Sequence, residues 1–189
     1  MILTLKQKLL ISDIIRIIAT LINLYLLKIP IFAKILLIIL IDIIDCSGLF
    51  INWIDCNSII YQKFDKITDS ICYVLLSIYL FNNNNLSYQY YYLLLLLIYR
   101  LIGTYLFLTT NNRQYLFYFP NFFLEICLGL YVINYFPILN SYKKSILINI
   151  IIYKIIQEYF FHYKKIINVI NIYKIIKEYF LHYKNKIEI

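Results

Sequence analysis

Five of the six aspartates in this 189-residue chain fall between positions 42 and 69, inside some of its most apolar sequence. They are Asp42, Asp45, Asp55, Asp65 and Asp69. Asp42 and Asp45 are three positions apart and Asp65 and Asp69 four, spacings that put each pair on one face of a helix. A carboxylate at the centre of a membrane helix costs roughly 2.5–3.5 kcal/mol, so four unpaired ones would cost on the order of 10 kcal/mol. A partner must meet them. Hard divalent cations take oxygen ligands, and Mg²⁺ is typically held by a few carboxylates together with substrate phosphates. Asp42, Asp45, Asp65 and Asp69 are therefore expected to hold Mg²⁺ or Mn²⁺ against a diphosphate presented at a membrane surface. The ion would polarise the diphosphate, and a spare carboxylate could deprotonate an attacking hydroxyl. Asp55 stands apart, in the polar stretch Asp55-Cys56-Asn57-Ser58, and reads as a solvated loop residue.

The elements that must position these carboxylates follow from composition. The chain is 62% hydrophobic, which excludes an ordinary soluble domain, about half apolar. Long apolar runs without strand-like alternation predict helices rather than a barrel. At about 20 residues per span, the expected fold is an all-α integral membrane protein with six transmembrane helices. They would cover roughly 13–27, 31–50, 61–81, 88–108, 120–137 and 146–161. Residues 1–12 form a juxtamembrane amphipathic segment, 13–161 the six-helix catalytic domain, and 162–189 a basic amphipathic tail. The second span ends where the third begins, so both aspartate pairs reach one face. Lys6, Lys8, Lys63, Lys66, Arg113 and the tail favour a cytoplasmic face there, against Lys28, Lys34, Lys143 and Lys144 opposite.

The net charge of +8 sits at helix ends and in the tail, which suits anionic lipid rather than nucleic acid. Cys46, Cys56, Cys72 and Cys127 make no C-x-x-C pair and have no His near them, so they read as buried apolar residues. Asn85-Leu86-Ser87 is a glycosylation sequon on the face opposite the aspartates. Arg100 lies inside the run LLLLLIYRLIGTYLF, where acceptor or phosphate binding competes with snorkelling to the headgroups. Glu125 either pairs with Arg100 or lines a cavity. The tail repeats residues 152–166 with a period of 20: Ile152-Tyr153-Lys154-Ile155-Ile156 returns as Ile172-Tyr173-Lys174-Ile175-Ile176, Glu158-Tyr159-Phe160 as Glu178-Tyr179-Phe180, and His162-Tyr163-Lys164 as His182-Tyr183-Lys184. A duplicated surface helix and a duplication without a role both fit.

The order Asp42-x-x-Asp45, then Asp65-x-x-x-Asp69, resembles the signature of the CDP-alcohol phosphatidyltransferases, D-x-x-D-G-x-x-A-R…G-x-x-x-D-x-x-x-D. Asp13-Ile14-Ile15-Arg16 is similar to that family's T-x-x-R segment, and Phe64-Asp65-Lys66-Ile67-Thr68-Asp69 to its F/L-D-x-x-T/A-D segment. The resemblance covers about residues 8–161, and it implies six transmembrane helices with the signature on the second and third. It implies Asp42, Asp45 and Asp65 as metal ligands and Asp69 as the base that activates an acceptor alcohol. A CDP-alcohol lipid such as CDP-diacylglycerol would be the donor, CMP the leaving group, and a homodimer the assembly. Cys46, Leu49-Phe50 and Tyr61 stand where the family has Gly, Ala-Arg and Gly. The nucleotide would then fall to Ser47 and Gly48 for close backbone approach and to Lys63 or Lys66 for charge, with Arg100 toward the acceptor. A divergent relative that binds lipid or metal without transfer, and a small cation transporter or channel, are the alternatives.

Overall fold

A computed structural model describes residues 4–46, 58–83 and 87–159, and every regular element within them is a helix. The side chains of Leu5, Ile44, Asp45, Cys46 and Ser87 lie outside the description, as do Ser47, Gly48, Asp55, Cys56, the sequon residues Asn85 and Leu86, and the repeated tail from Phe160 onward.

The first helix, α1 (Leu5–Leu21), starts earlier than the sequence pattern implies. Thr4 and Gln7 form a capping box: Gln7 N–H donates to Thr4 Oγ1 at 3.4 Å, and Thr4 N–H donates to Gln7 Oε1 at 2.9 Å. The helix then runs on through a π-helical turn (Ile22–Leu26), closed by Leu27 N–H donating to the Ile22 carbonyl at 3.2 Å. Over its described part, from Thr4, the N-terminal segment is continuous in helix with the residues that follow it. Lys6 and Lys8 are the first turns of the same 21-residue apolar stretch, Lys6–Leu26, because the capping box nucleates the helix at Thr4 and no breaker follows.

Pro30 opens α2 (Ile31–Cys46), its carbonyl accepting from Ala33 N–H and Lys34 N–H. Ser58 caps α3 (Ile59–Asn82), its hydroxyl accepting from Tyr61 N–H at 3.2 Å. Helix α4 (Ser87–Thr110) ends at Asn111, whose φ of 59° is a left-handed conformation that Asn tolerates. A short α5 (Gln114–Tyr118) leads to Pro120 and α6 (Phe122–Tyr135). Pro137 begins a 3₁₀ segment (Pro137–Tyr142) that turns the chain into α7 (Lys143–Glu158).

Helix α3 packs on α1 and α4, α6 packs on α2, α4 and α7, and the apolar centre joins α2, α3, α4 and α6 through Ile35, Leu76, Leu93, Phe123 and Cys127. The pattern on α1 is inverted relative to a water-soluble helix. Ser12, Asp13, Arg16, Thr20 and Asn23 face inward, while Ile11, Ile14, Ile15, Ile18 and Ile22 are exposed. Such a helix suits lipid around it and polar work inside it. Among the described residues, three stretches are long and apolar enough to cross a membrane: Lys6–Leu26, Tyr88–Thr110 and Gln114–Tyr135. This is fewer than the six expected. Helices α2 and α7 have only 16 residues each, and α3, with 24, carries Lys63, Asp65, Lys66 and Asp69 in its first half.

Lys34 is also not a surface charge at the face opposite the aspartates. It is 4% exposed, donates from Nζ to the Leu24 carbonyl at 2.5 Å, and lies 4.8 Å above the Tyr79 ring. The π turn presents that carbonyl, and Asn23 Nδ2 returns the tie by donating to the Lys34 carbonyl at 2.8 Å.

Candidate metal centre

Helical geometry brings the carboxylates together. Asp42 stands near the C-terminal end of α2, and Asp65 and Asp69 occupy successive turns near the start of α3. Oxygens of Asp42, Asp65 and Asp69 lie within 4.8 Å of one another. Asp69 forms the buried floor, its side chain 4% exposed, while Asp65 at 13% and Asp42 at 37% lead outward. Asp45 is on the same helix as Asp42, three residues on, with its side chain outside the description.

Cations meet all three. Arg16 reaches in from α1, with Nη1 donating to Asp65 Oδ1 at 2.9 Å and Nη2 donating to Asp42 Oδ1 at 2.7 Å and Asp69 Oδ1 at 2.6 Å. Lys66 Nζ lies 2.7 Å from Asp65 Oδ2 and 2.7 Å from Asp69 Oδ2. One formal carboxylate charge is left over among these five side chains. Charge-assisted bonds of this kind are about twice as strong as neutral ones, and they offset the cost of burying Asp69 and Arg16. The fit to a divalent ion is chemical: three hard carboxylate donors converge from two helices, the ligand type that suits Mg²⁺ or Mn²⁺. Lys66 occupies the Oδ2 side of two of them, so an ion and Lys66 would compete.

The sequence expectation therefore divides. Asp42, Asp65 and Asp69 come together, and Asp45, Ser47 and Gly48 lie outside the described side chains. Lys66 is held inside the carboxylate cluster, whereas Lys63 is half-buried on α3 and outside the described network. Arg100 is 4% exposed and donates from Nη1 to the carbonyls of Phe119 at 2.7 Å and Leu116 at 3.2 Å, so its described bonds hold the chain between α5 and α6. Tyr99 supports the same turn by donating to the Tyr118 carbonyl.

Glu125 does not pair with Arg100. It pairs with Lys154 of α7, whose Nζ is 2.5 Å from Glu125 Oε1 and 3.4 Å from Glu158 Oε1. The physical reason is position: Arg100 is taken up by carbonyls on one side of Pro120, while α7 lays its Lys-Glu face on the start of α6. Glu158 Oε1 accepts the Asn121 N–H at 3.4 Å, and Asn121 Nδ2 donates to Tyr73 Oη at 2.9 Å. This second buried polar cluster had only a weak sequence signal, a Lys154 and Glu158 pair at i, i+4 within an apolar helix. The role of Arg16 had a stronger one, a lone Arg inside the first apolar run. Cys72 and Cys127 are buried free thiols, as expected, and Thr20 Oγ1 donates to Cys72 Sγ at 3.4 Å just below Asp69.

No family of known proteins matches this chain, and neither curated proteins nor solved structures include a match.

Proposed function

We propose that the protein is a six-span membrane enzyme that transfers a phosphatidyl or related phospho-alcohol group from a CDP-alcohol to an alcohol. The observation that carries this reading is the convergence of Asp42, Asp65 and Asp69 from two helices at the junction where α2 ends and α3 begins. The spans would be α1, α2, α3, α4, α5 with α6, and α7, the shorter ones completed by the neighbours they pack against. Asp42, Asp65 and Asp69, with Asp45, would hold Mg²⁺ or Mn²⁺, and the bound ion would supply charge neutralisation for the diphosphate. Asp69, at the buried floor, would accept the proton of the acceptor hydroxyl. The hydroxyl oxygen forms the new bond to the lipid-side phosphorus, the bond to the CMP oxygen breaks, and CMP leaves with the electron pair. Arg16 positions the three carboxylates, and Lys66 could exchange its carboxylate partners for diphosphate oxygens. The active face is assigned to the cytoplasm on the distribution of Lys and Arg.

A second reading draws on a different observation. Arg16 and Lys66 already meet all three carboxylates, so the cluster would also serve as an ion-pair joint between α1, α2 and α3 in a relative that binds without transferring. One experiment separates the two. The protein in lipid nanodiscs is given CDP-diacylglycerol, Mn²⁺ and a panel of alcohols, and CMP release is followed for the wild type and for Asp69→Asn. CMP release by the wild type that falls by about 10²-fold or more in Asp69→Asn is expected for a general base. A folded wild type that releases no CMP with any acceptor would overturn the transferase reading, and cation flux in liposomes would replace it with transport.

A further inference from the structure

The repeat at the end of the chain acquires a meaning from what its first copy does. On α7, Lys154 Nζ grips Glu125 of α6 at 2.5 Å, Glu158 Oε1 accepts the N–H of Asn121 at the start of α6, and the Tyr159 ring meets Phe117 of α5 edge-on at 5.9 Å between centroids. Lys154 and Glu158 are 7% and 5% exposed, so this is a buried docking face rather than a decorated surface. Every one of these residues recurs 20 positions later, as Lys174, Glu178 and Tyr179, within a segment identical at 11 of 13 positions (152–164 against 172–184).

We propose that residues 172–179 are a second, alternative occupant of the surface of α5 and α6 that residues 152–159 hold. The second copy carries the cation for Glu125, the carboxylate for the Asn121 N–H and the ring for Phe117 at the same spacing. One of the two differences between the repeats ranks the copies. Gln157 Oε1 accepts from Lys154 Nζ at 3.1 Å, and its counterpart is Lys177, which sets a like charge three residues from Lys174. The first copy is therefore the stronger occupant and the second the minor one. Both copies belong to one chain, so the exchange is intramolecular and proceeds at a high effective concentration. A second molecule has no such advantage, because its own first copy covers its own α6. The docking point is tied to the carboxylate site through Asn121, Tyr73 Oη and α3, on which Tyr73 follows Asp69 by one turn. The proposal stands whether or not the chain is a transferase.

The test uses the full chain in lipid nanodiscs with a photoreactive benzoylphenylalanine in place of Phe117. Cross-linked peptides from the two copies are told apart by mass, since Phe161 in one is Leu181 in the other. Mixing isotopically heavy and light chains distinguishes links within a molecule from links between molecules. The expected result is a majority of links to 152–159 and a minority, within the same chain, to 172–179. Lys177→Gln should raise that minority by about twofold, the effect of relieving one like-charge pair. Lys174→Ala should abolish it, and Lys154→Ala should invert the ratio. If Lys154→Ala fails to fold, Lys177→Gln still decides the matter, because it leaves every described helix unchanged. No link to 172–179, an unchanged share in Lys177→Gln, or links found only between chains would each overturn the proposal.

Discussion

Arg16 Nη2 lies 2.6 Å from Asp69 Oδ1, and the same nitrogen reaches Asp42 Oδ1 at 2.7 Å. One guanidinium thus joins α1 to α2 and α3 at a point that is buried on the Asp69 side. Removing one partner of a buried pair leaves an uncompensated charge and typically costs about 3–5 kcal/mol. Arg16→Met is expected to destabilise the protein by that amount. Arg16→Lys should recover only part of it, since an ammonium cannot present the planar fork that meets three carboxylates. Equilibrium unfolding in mixed micelles measures both. A loss under about 1 kcal/mol in Arg16→Met, the range of an exposed pair, would show that Arg16 is not the joint.

Lys66 sits where a metal ion would have to compete, 2.7 Å from an oxygen of Asp65 and 2.7 Å from one of Asp69. Two unit charges 4 Å apart interact by about 4 kcal/mol at an effective dielectric of 20. Relief of even a third of that, about 1.4 kcal/mol, is tenfold in affinity. Lys66→Met is therefore expected to tighten Mn²⁺ binding about tenfold, while Asp65→Asn weakens it. Electron paramagnetic resonance of free Mn²⁺ reads both directly, without any substrate. Weaker Mn²⁺ binding in Lys66→Met would argue that Lys66 organises the site rather than guarding it.

Much of this site is legible in the sequence, because helical spacing alone places Asp65 above Asp69 and sets Asp42 at the end of the preceding helix. Asp42, Asp65 and Asp69 could be grouped without coordinates. Their partners could not be. Arg16 is 26 residues from Asp42 and 53 from Asp69, and the pairing depends on α1 packing against α3, a tertiary fact with no local signal. The same limit explains Lys154 and Glu125, which meet only because the 3₁₀ turn after Pro137 folds α7 back on α6. Helix positions were recoverable from Pro120, Pro137 and the Asn-rich break. The beginning of α1 was not, because the apolar run reads as a span from about residue 13, whereas the Thr4 capping box starts the helix at Leu5. Lys34 misleads for a related reason: a lysine near a helix start reads as interfacial until the π turn supplies it with a buried carbonyl.

The α6–α7 contact gives a prediction independent of the metal centre. Lys154 is shared by Glu125, half-buried, and Glu158, buried, so Lys154→Met would take from both the cation they share. The expected cost is about 3–5 kcal/mol. Lys154→Met combined with Glu125→Gln should recover part of that loss, because the double variant removes the charge of the carboxylate that Lys154 approaches most closely. A double variant less stable than Lys154→Met alone would mean that Glu125 has a second partner to satisfy. Unfolding in mixed micelles again provides the measurement, with the four proteins forming one cycle.

Two glycines at helix contacts are expected to respond differently to the same substitution. A Cβ at Gly103 would fall 2.2 Å from Phe119 Cβ and 2.8 Å from its Cγ. Those atoms are fixed close to the backbone whose carbonyl Arg100 holds at 2.7 Å, so α4 and the turn after α5 would have to separate. At Gly129 the nearest atom is Ile150 Cδ1 at 2.6 Å, the end of a flexible side chain on α7, and a rotamer change can clear it. Overpacking that forces backbone shifts costs about 1–3 kcal/mol. Gly103→Ala should fall in that range, and Gly129→Ala should cost well under about 1.5 kcal/mol, the limit for changes that local repacking absorbs. Thermal unfolding of the two variants side by side in one detergent ranks them. Equal midpoints, or a more stable Gly103→Ala, would refute the close approach of Phe119 to α4.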